Sequence, residues 1–304
     1  MSLLLPFAAQ CLHILLMLLA APTALGTLRW AEARLSGRTG MSWRASWDEL
    51  SRLRRKQPVQ AESASPLFAA APPLCFAALA VAAALVPSFA LGMSFASLGD
   101  LLVIGGLLAL ARAMLALAAL DEGSAAGALA ARRGVTLAVY GEAALLLAVL
   151  ALGLAAGTTN VDLIAGLTRA GMLQPPAAAA LAAAALATLA VVQLDAGMPE
   201  AACFSASGLA LLRMAEGLRL LVWIDLVGVL FVPAGMMSAQ DFPSGWLTGL
   251  FAWGVRLVLA IAVLAGLRVT AGRLALRRMP ALLVVALLLA GLASLLVLTR
   301  ARPV

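Results

Sequence analysis

The chain has 304 residues, of which 64% are hydrophobic and only 12% charged, against roughly 25% charged in ordinary soluble domains. With a mean hydropathy of +1.05, this excludes a soluble globular protein and indicates an all-α, polytopic integral membrane protein, a single transmembrane domain over 1–304. The net charge of +7 does not signal nucleic acid, because basic residues gather in the cytoplasmic loops of membrane proteins.

About 20 mostly apolar residues cross a bilayer. About eight runs do so here: 3–25, 67–87, 99–120, 135–156, 177–194, 210–232, 247–267 and 280–298. The first lacks a basic leader and is longer than a signal-peptide core, so it is expected to be a membrane helix. It holds His13, the only histidine, which reads as a helix-packing residue. One histidine excludes haem held by paired histidines. Cys11, Cys75 and Cys203 lie far apart with no CxxC, which argues against a zinc or iron–sulfur site in this chain. No metal or cofactor is expected to be bound by it.

The loop 29–66 follows, with the basic stretch "ARLSGRTGMSWRASWDELSRLRRKQPV". Its second half predicts a short helix, 46–56. Ser46 and Glu49 have the spacing of a capping box, Asp48 and Glu49 sit at its positive end, and Arg52, Arg54, Arg55 and Lys56 at its negative end. Trp47, Leu50 and Leu53 form an apolar stripe. This describes an amphipathic helix in the cytoplasmic interface, either a lipid anchor or a platform for a soluble partner.

Pro72, Pro73 and Pro87 punctuate the second span, Pro175 and Pro176 open the fifth, Pro233 closes the sixth and Pro280 starts the eighth. The fifth span is nearly all alanine and is expected to pack within the bundle, where small side chains allow close approach. Most Lys and Arg outside the spans fall in the connections 1–2, 3–4, 5–6 and 7–8, including Arg132, Arg133, Arg213, Arg268, Arg273, Arg277 and Arg278. Arg169, Arg300 and Arg302 lie on the other side. The positive-inside rule makes the first group cytoplasmic and puts both termini outside an inner (cytoplasmic) membrane.

Six ionisable residues lie within or at the ends of spans: Arg112, Glu142, Glu216, Arg219, Asp225 and Arg256. Each costs about 2.5–3.5 kcal/mol at bilayer depth and needs a partner or a wet cavity. Glu216 and Arg219, three apart, are expected to pair. Asp225 needs another partner, such as Arg112 or Arg256, and Glu142 has no local cation. These charges read as a proton or ion path, or as buried pairs that fix helix register. For Arg256 the second reading is favoured.

Three stretches carry a resemblance. "ARLSGRTG…WDELSRLRRKQPV", "GDLLVIGGLLALARAMLALAALDEGSAAGALAARRGVTLAVYGEAALLLAVLALGL" followed by "AAGTTNVDLIAG", and "SGLALLRMAEGLRLLVWIDLVGVLFVP" are similar to the formate hydrogenlyase subunit 4 / hydrogenase-4 component C family, homologous to NADH dehydrogenase subunit 1 of respiratory complex I. There are departures. Met41 stands at a family proline, and Ala45 and Ser46 stand where the family has Gln-Pro. Arg132 and Gly134 replace a serine and a glutamate, Ala143 follows Glu142, and "LDAGMPEAACFSASG" replaces a longer acidic loop, with Asp195, Gly197 and Pro199 echoing its start.

The resemblance implies a membrane subunit of a complex I-like or group 4 NiFe-hydrogenase-like complex, with the NiFe centre and iron–sulfur clusters in partner subunits. The expected partners are a hydrogenase-like large subunit, an iron–sulfur subunit and antiporter-like membrane subunits. Arg34, Arg38, Arg52, Arg55 and Lys56 would contact the soluble arm. Arg112, Asp121, Glu142, Glu216, Arg219 and Asp225 would line a proton or sodium path. The alternatives are an anchor that has lost coupling and an unrelated secondary transporter.

Overall fold

The computed structural model describes residues 4–39, 42–59, 64–241, 244–270 and 278–300. Met41, Arg273, Arg277 and Arg302 lie outside them. Ten α-helices occur among the described residues: α1 Leu4–Leu35, α2 Ala45–Arg54, α3 Pro66–Leu85, α4 Leu101–Asp121, α5 Ala125–Ala156, α6 Val161–Arg169, α7 Pro176–Ala196, α8 Ala206–Phe231, α9 Ser244–Thr270 and α10 Met279–Arg300. Seven helical segments are long and apolar enough to cross a membrane, as a polytopic protein requires. The one expected span outside these seven is the sixth, 210–232, which is α8, 26 residues long but interrupted by Arg213, Glu216, Arg219 and Asp225.

Two helices outrun their expected bounds. α1 continues to Leu35, so Arg29 and Arg34 belong to a helix and not to a loop. α5 starts at Ala125 because Ser124 caps it, its hydroxyl accepting from Gly127 N at 2.9 Å. Arg132 and Arg133 are therefore helical as well. α6 was not expected. Asn160 caps it, its side-chain oxygen accepting from Asp162 N and Leu163 N.

α8 is the hub. It packs against α1, α3, α2, α7 and α6, while α9 covers α1 and α10 lies across α5 and α7. Ala178, Ala182, Ala185 and Ala190 of α7 are buried, in keeping with the close packing expected of that alanine-rich span. Its charged positions explain why α8 is enclosed: a helix with four charges cannot present them to hydrocarbon. Close approach needs small residues. At Gly217 a Cβ would run into the backbone of Ala21 on α1.

At the end opposite α2, a parallel two-stranded pairing joins β1 Ala90–Leu91 to β2 Met237–Ser238. Nearby, both carboxylate oxygens of Asp162 accept from Gly92 N, at 3.2 and 3.0 Å. Burial pushes this carboxyl above the usual range and the Gly92 N–H draws it part of the way back.

The α1–α8 crossing yields a test. Gly217→Val is expected to lower thermal stability in detergent by about 2–3 kcal/mol, the scale of overpacking in a close-packed interior. Gly254→Ala in α9, where nothing lies within 4 Å, should leave it unchanged or slightly higher. Equal melting curves for the two variants would contradict the crossing.

Candidate functional site

The C-terminal ends of α1, α7 and α9 and the N-terminal end of α8 meet beneath α2. They enclose a polar cleft of ≈ 1280 Å³. α1 contributes Arg29 and Glu32, α2 contributes Asp48, Glu49 and Arg52, and α8 contributes Arg213, Glu216 and Arg219. Four of these form an alternating square. Arg29 reaches Glu49 at 3.2 Å and Glu216 at 3.6 Å, while Arg213 reaches Glu49 at 3.2 Å and Glu216 at 2.9 Å. Arg268 of α9 pairs with Glu32, lies 3.6 Å from Asp195, and donates to Leu194 O at 2.8 Å. Five helices, α1, α2, α7, α8 and α9, are thereby tied at one end.

The square corrects two expectations. Glu216 pairs with Arg213, three residues before it, and with Arg29, not with Arg219. Both spacings put the partners on one face, but Arg213 points into the cleft where Glu49 also waits. The capping box does not form. α2 starts at Ala45 with no side-chain cap, Ser46 is buried beside Gly26, and Glu49 turns to the two arginines instead of back to its own helix start. The stripe of α2 is also met by protein: Leu50 and Leu53 pack with Trp47 onto Ala210, Leu209 and Met214 of α8.

Deeper in the bundle, α3, α4, α5, α7 and α8 surround a smaller chamber of ≈ 140 Å³. Its polar lining is Arg112, Arg133, Gln193, Glu200 and Arg219, and its apolar lining includes Leu79, Leu108 and Trp223. Cleft and chamber share one wall, Arg219 together with the turn Ala196 to Pro199. Three buried donors here have no hydrogen-bond partner among the described residues: Arg112 Nη1, Gln193 Nε2 and Arg219 Nε. Such donors call for water or a mobile charge. Glu142 of α5 does not line the chamber, but its charge acts on Arg112. This is the cation that the local sequence could not supply.

The other ionisable residues have separate places. Asp225 accepts from Trp253 Nε1 at 2.9 Å, and Arg256 lies against Gly228, one turn further along α8. Arg256 donates to Val232 O at 3.3 Å and to Ser88 O, holding two chain ends, as the register reading favoured. His13 bonds Ala83 O at 2.9 Å through Nε2 and Ser88 Oγ at 2.7 Å through Nδ1. A carbonyl only accepts, so Nε2 carries the proton and the Ser88 hydroxyl donates to Nδ1. Asp121 accepts from Ser65 N at 2.8 Å, tying the end of α4 to the start of α3. Neither Asp121 nor Asp225 lines either cavity. No group of three His, Cys, Asp or Glu side chains able to hold a metal occurs among the described residues.

A sequence profile described as NADH dehydrogenase matches residues 8–299. The chain belongs to this family. Hydrogenase-4 component C of Escherichia coli K12 is 30% identical over 272 residues, 86% of this chain and 85% of that protein. Formate hydrogenlyase subunit 4 of the same organism is 28% identical over 266 residues, 84% of this chain and 86% of that protein. The fold is shared with a chain of the membrane-bound sulfane sulfur reductase, an archaeal respiratory membrane complex. That match has a TM-score of 0.76 at 15% identity and covers 96% of this chain and 99% of that one. Membership in the NADH dehydrogenase family sets aside an unrelated secondary transporter.

Of the expected path residues, the fold of this family member brings Arg112, Glu142, Glu216 and Arg219 into one region and leaves Asp121 and Asp225 apart. Arg34, Arg38, Arg52, Arg55 and Lys56 lie on the surface around the cleft. Arg38 and Arg52 edge the cleft, and Arg34 stacks over Trp30 at 5.6 Å. Sequence reasoning did not place Glu49, Arg29, Gln193 or Glu200 in the site. The signal for Glu200 was its place as the lone acid after Pro199 in a rewritten segment.

The square is open to measurement. Its side chains are 20–32% exposed, so screening limits each pair to about 0.5–1 kcal/mol. A double-mutant cycle of Arg29→Gln and Glu216→Gln on thermal stability should give a coupling of that size, weaker at high salt. A coupling of zero at low salt would mean the four charges do not act together.

Proposed function

We propose that this chain is the membrane anchor and ion-coupling subunit of a complex I-like, group 4 NiFe-hydrogenase-like respiratory complex. The observation that carries the reading is the pair of polar cavities, a large one beneath the basic α2 face and a smaller one deeper in the bundle, with Arg219 in their common wall. The names of the hydrogenase-4 and formate hydrogenlyase relatives support the hydrogenase-like assignment. The soluble arm, with a hydrogenase-like large subunit carrying the NiFe centre and an iron–sulfur subunit, would seat on Arg34, Arg38, Arg52, Arg55 and Lys56. Antiporter-like subunits would pack along the apolar sides.

In this role the chain binds no redox group. The square of Arg29, Glu49, Arg213 and Glu216 lies under the arm, where a change of charge in the arm alters which cation faces which carboxylate. Arg219 passes that change to the chamber, and Arg112 and Glu142 carry the proton or sodium path onward. By the positive-inside rule the α2 end is cytoplasmic and both termini face outward. The short α7–α8 connection favours the second reading, an anchor without coupling.

One experiment tests the docking face and a second separates the two readings. Changing Arg52, Arg54, Arg55 and Lys56 together to Gln should reduce co-purification of the soluble arm about tenfold, which corresponds to ~1.4 kcal/mol. Both readings require that result, and undiminished co-purification would move the docking face elsewhere. Glu142→Gln should lower proton uptake per electron in membrane vesicles while the complex remains assembled. Uptake equal to wild type would leave the anchor alone.

A further inference from the structure

Glu200 is an acid in an unusual place. It lies in the 3₁₀ turn Pro199–Cys203 between α7 and α8, and it is only 4% exposed. The turn follows Gly197, whose backbone (φ 67, ψ −152) lies in a region open essentially to glycine alone. Non-helical backbone within a bundle is tolerated where it lines a cavity, and this turn lines both. The position opposite is cut to receive the carboxylate: at Gly134 of α5 a Cβ would fall onto Glu200 Oε1. Any side chain at 134 would displace it.

Around Glu200 the chamber is rich in cations. Arg112, Arg133 and Arg219 line it, against this one carboxylate, and the charges of Arg219 and Arg112 both act on Glu200. Gln193 is 4% exposed, and its Nε2, on the chamber wall, lacks a partner among the described residues. The volume of ≈ 140 Å³ admits several waters, at roughly 30 Å³ each in the liquid. A buried acid that shares a chamber with two arginines, with room for water beside it, can exist in either protonation state as the charges around it shift.

We propose that Glu200 is the proton-exchanging carboxyl of the inner chamber, receiving a proton across the Arg219 wall from cleft water and releasing it to chamber water on the Arg112–Glu142 side. An O–H bond to a carboxylate oxygen forms as one to a hydronium ion in the cleft breaks, and the reverse occurs on the far side. No electron moves. This rests on the coupling reading above and adds the carrier that the reading lacks between Arg219 and Glu142.

The test uses the complete complex in inverted membrane vesicles, with proton uptake per electron as the readout. Glu200→Gln is expected to lower that ratio at least tenfold, and Glu200→Asp to keep most of it. The paired change Glu200→Ala with Gly134→Glu should restore uptake by returning a carboxyl to the chamber from the opposite wall. An infrared carboxyl band that changes during turnover should be present in wild type and absent from Glu200→Gln. A role limited to neutralising the arginines predicts no such band, and its absence from wild type overturns the proposal. Should Glu200→Gln fail to assemble, the paired variant decides: an assembled complex without uptake overturns the assignment. If Glu142→Gln blocks uptake and Glu200→Gln does not, this assignment fails and the coupling reading stands. If neither does, both fail.

Discussion

The fold depends on one constraint: a helix carrying four charges must be kept from lipid. Arg213, Glu216, Arg219 and Asp225 give α8 a polarity that hydrocarbon would penalise at several kcal/mol per group. The remaining helices solve this by surrounding it. α1, α3 and α7 cover its sides, α2 lies over its start, and α9 reaches it with Trp253 and Arg256. The square takes up Arg213 and Glu216 and the Trp253 contact takes up Asp225, while Arg219 faces the two cavities.

The solutions differ with depth. At the basic end the charges are partly wet, and two arginines alternate with two glutamates across three helices. Such a square holds geometry more than it stabilises, because each group keeps access to water. Further in, Arg219 and Arg112 have donors with no protein partner among the described residues, and the bundle leaves a chamber rather than collapsing on them. At the far end Asp225 receives an indole N–H, and Arg256 is committed to backbone carbonyls. Asp225 Oδ2 and Arg256 Nε also lack a hydrogen-bond partner among the described residues, but only Arg112, Gln193 and Arg219 line the chamber.

The departures from the family pattern fall in this same region. A family glutamate is Gly134 here, and the acidic loop after the fifth span is short. The fold brings the two changes into contact. The short segment carries Glu200, and Gly134 is the space it occupies. Viewed along the chain these are two losses. In three dimensions an acid remains in the chamber that Arg112 and Arg219 line.

Much of the architecture was legible because bilayer physics acts on local composition. A run of about 20 apolar residues is a span wherever it sits, so the spans, the basic loop and the intramembrane charges could all be read from order alone. Helix starts at Ser124 and Asn160 illustrate what was harder. Their caps extended α5 and created α6, but a polar residue before a helix looks the same whether or not the fold employs it. Ser46 shows the converse, since an ideal capping box gave way to a stronger electrostatic use of Glu49. Residue order alone settled the class of protein, the helices and the kinds of charge they carry. Which charges meet was left to the packing, since Arg29 finds Glu216 and Arg213 finds Glu49, and the Glu200 carboxylate takes the space beside Gly134, across distances that no local spacing encodes. Pairing energy depends on separation in space, and only the packing of the helices sets that separation.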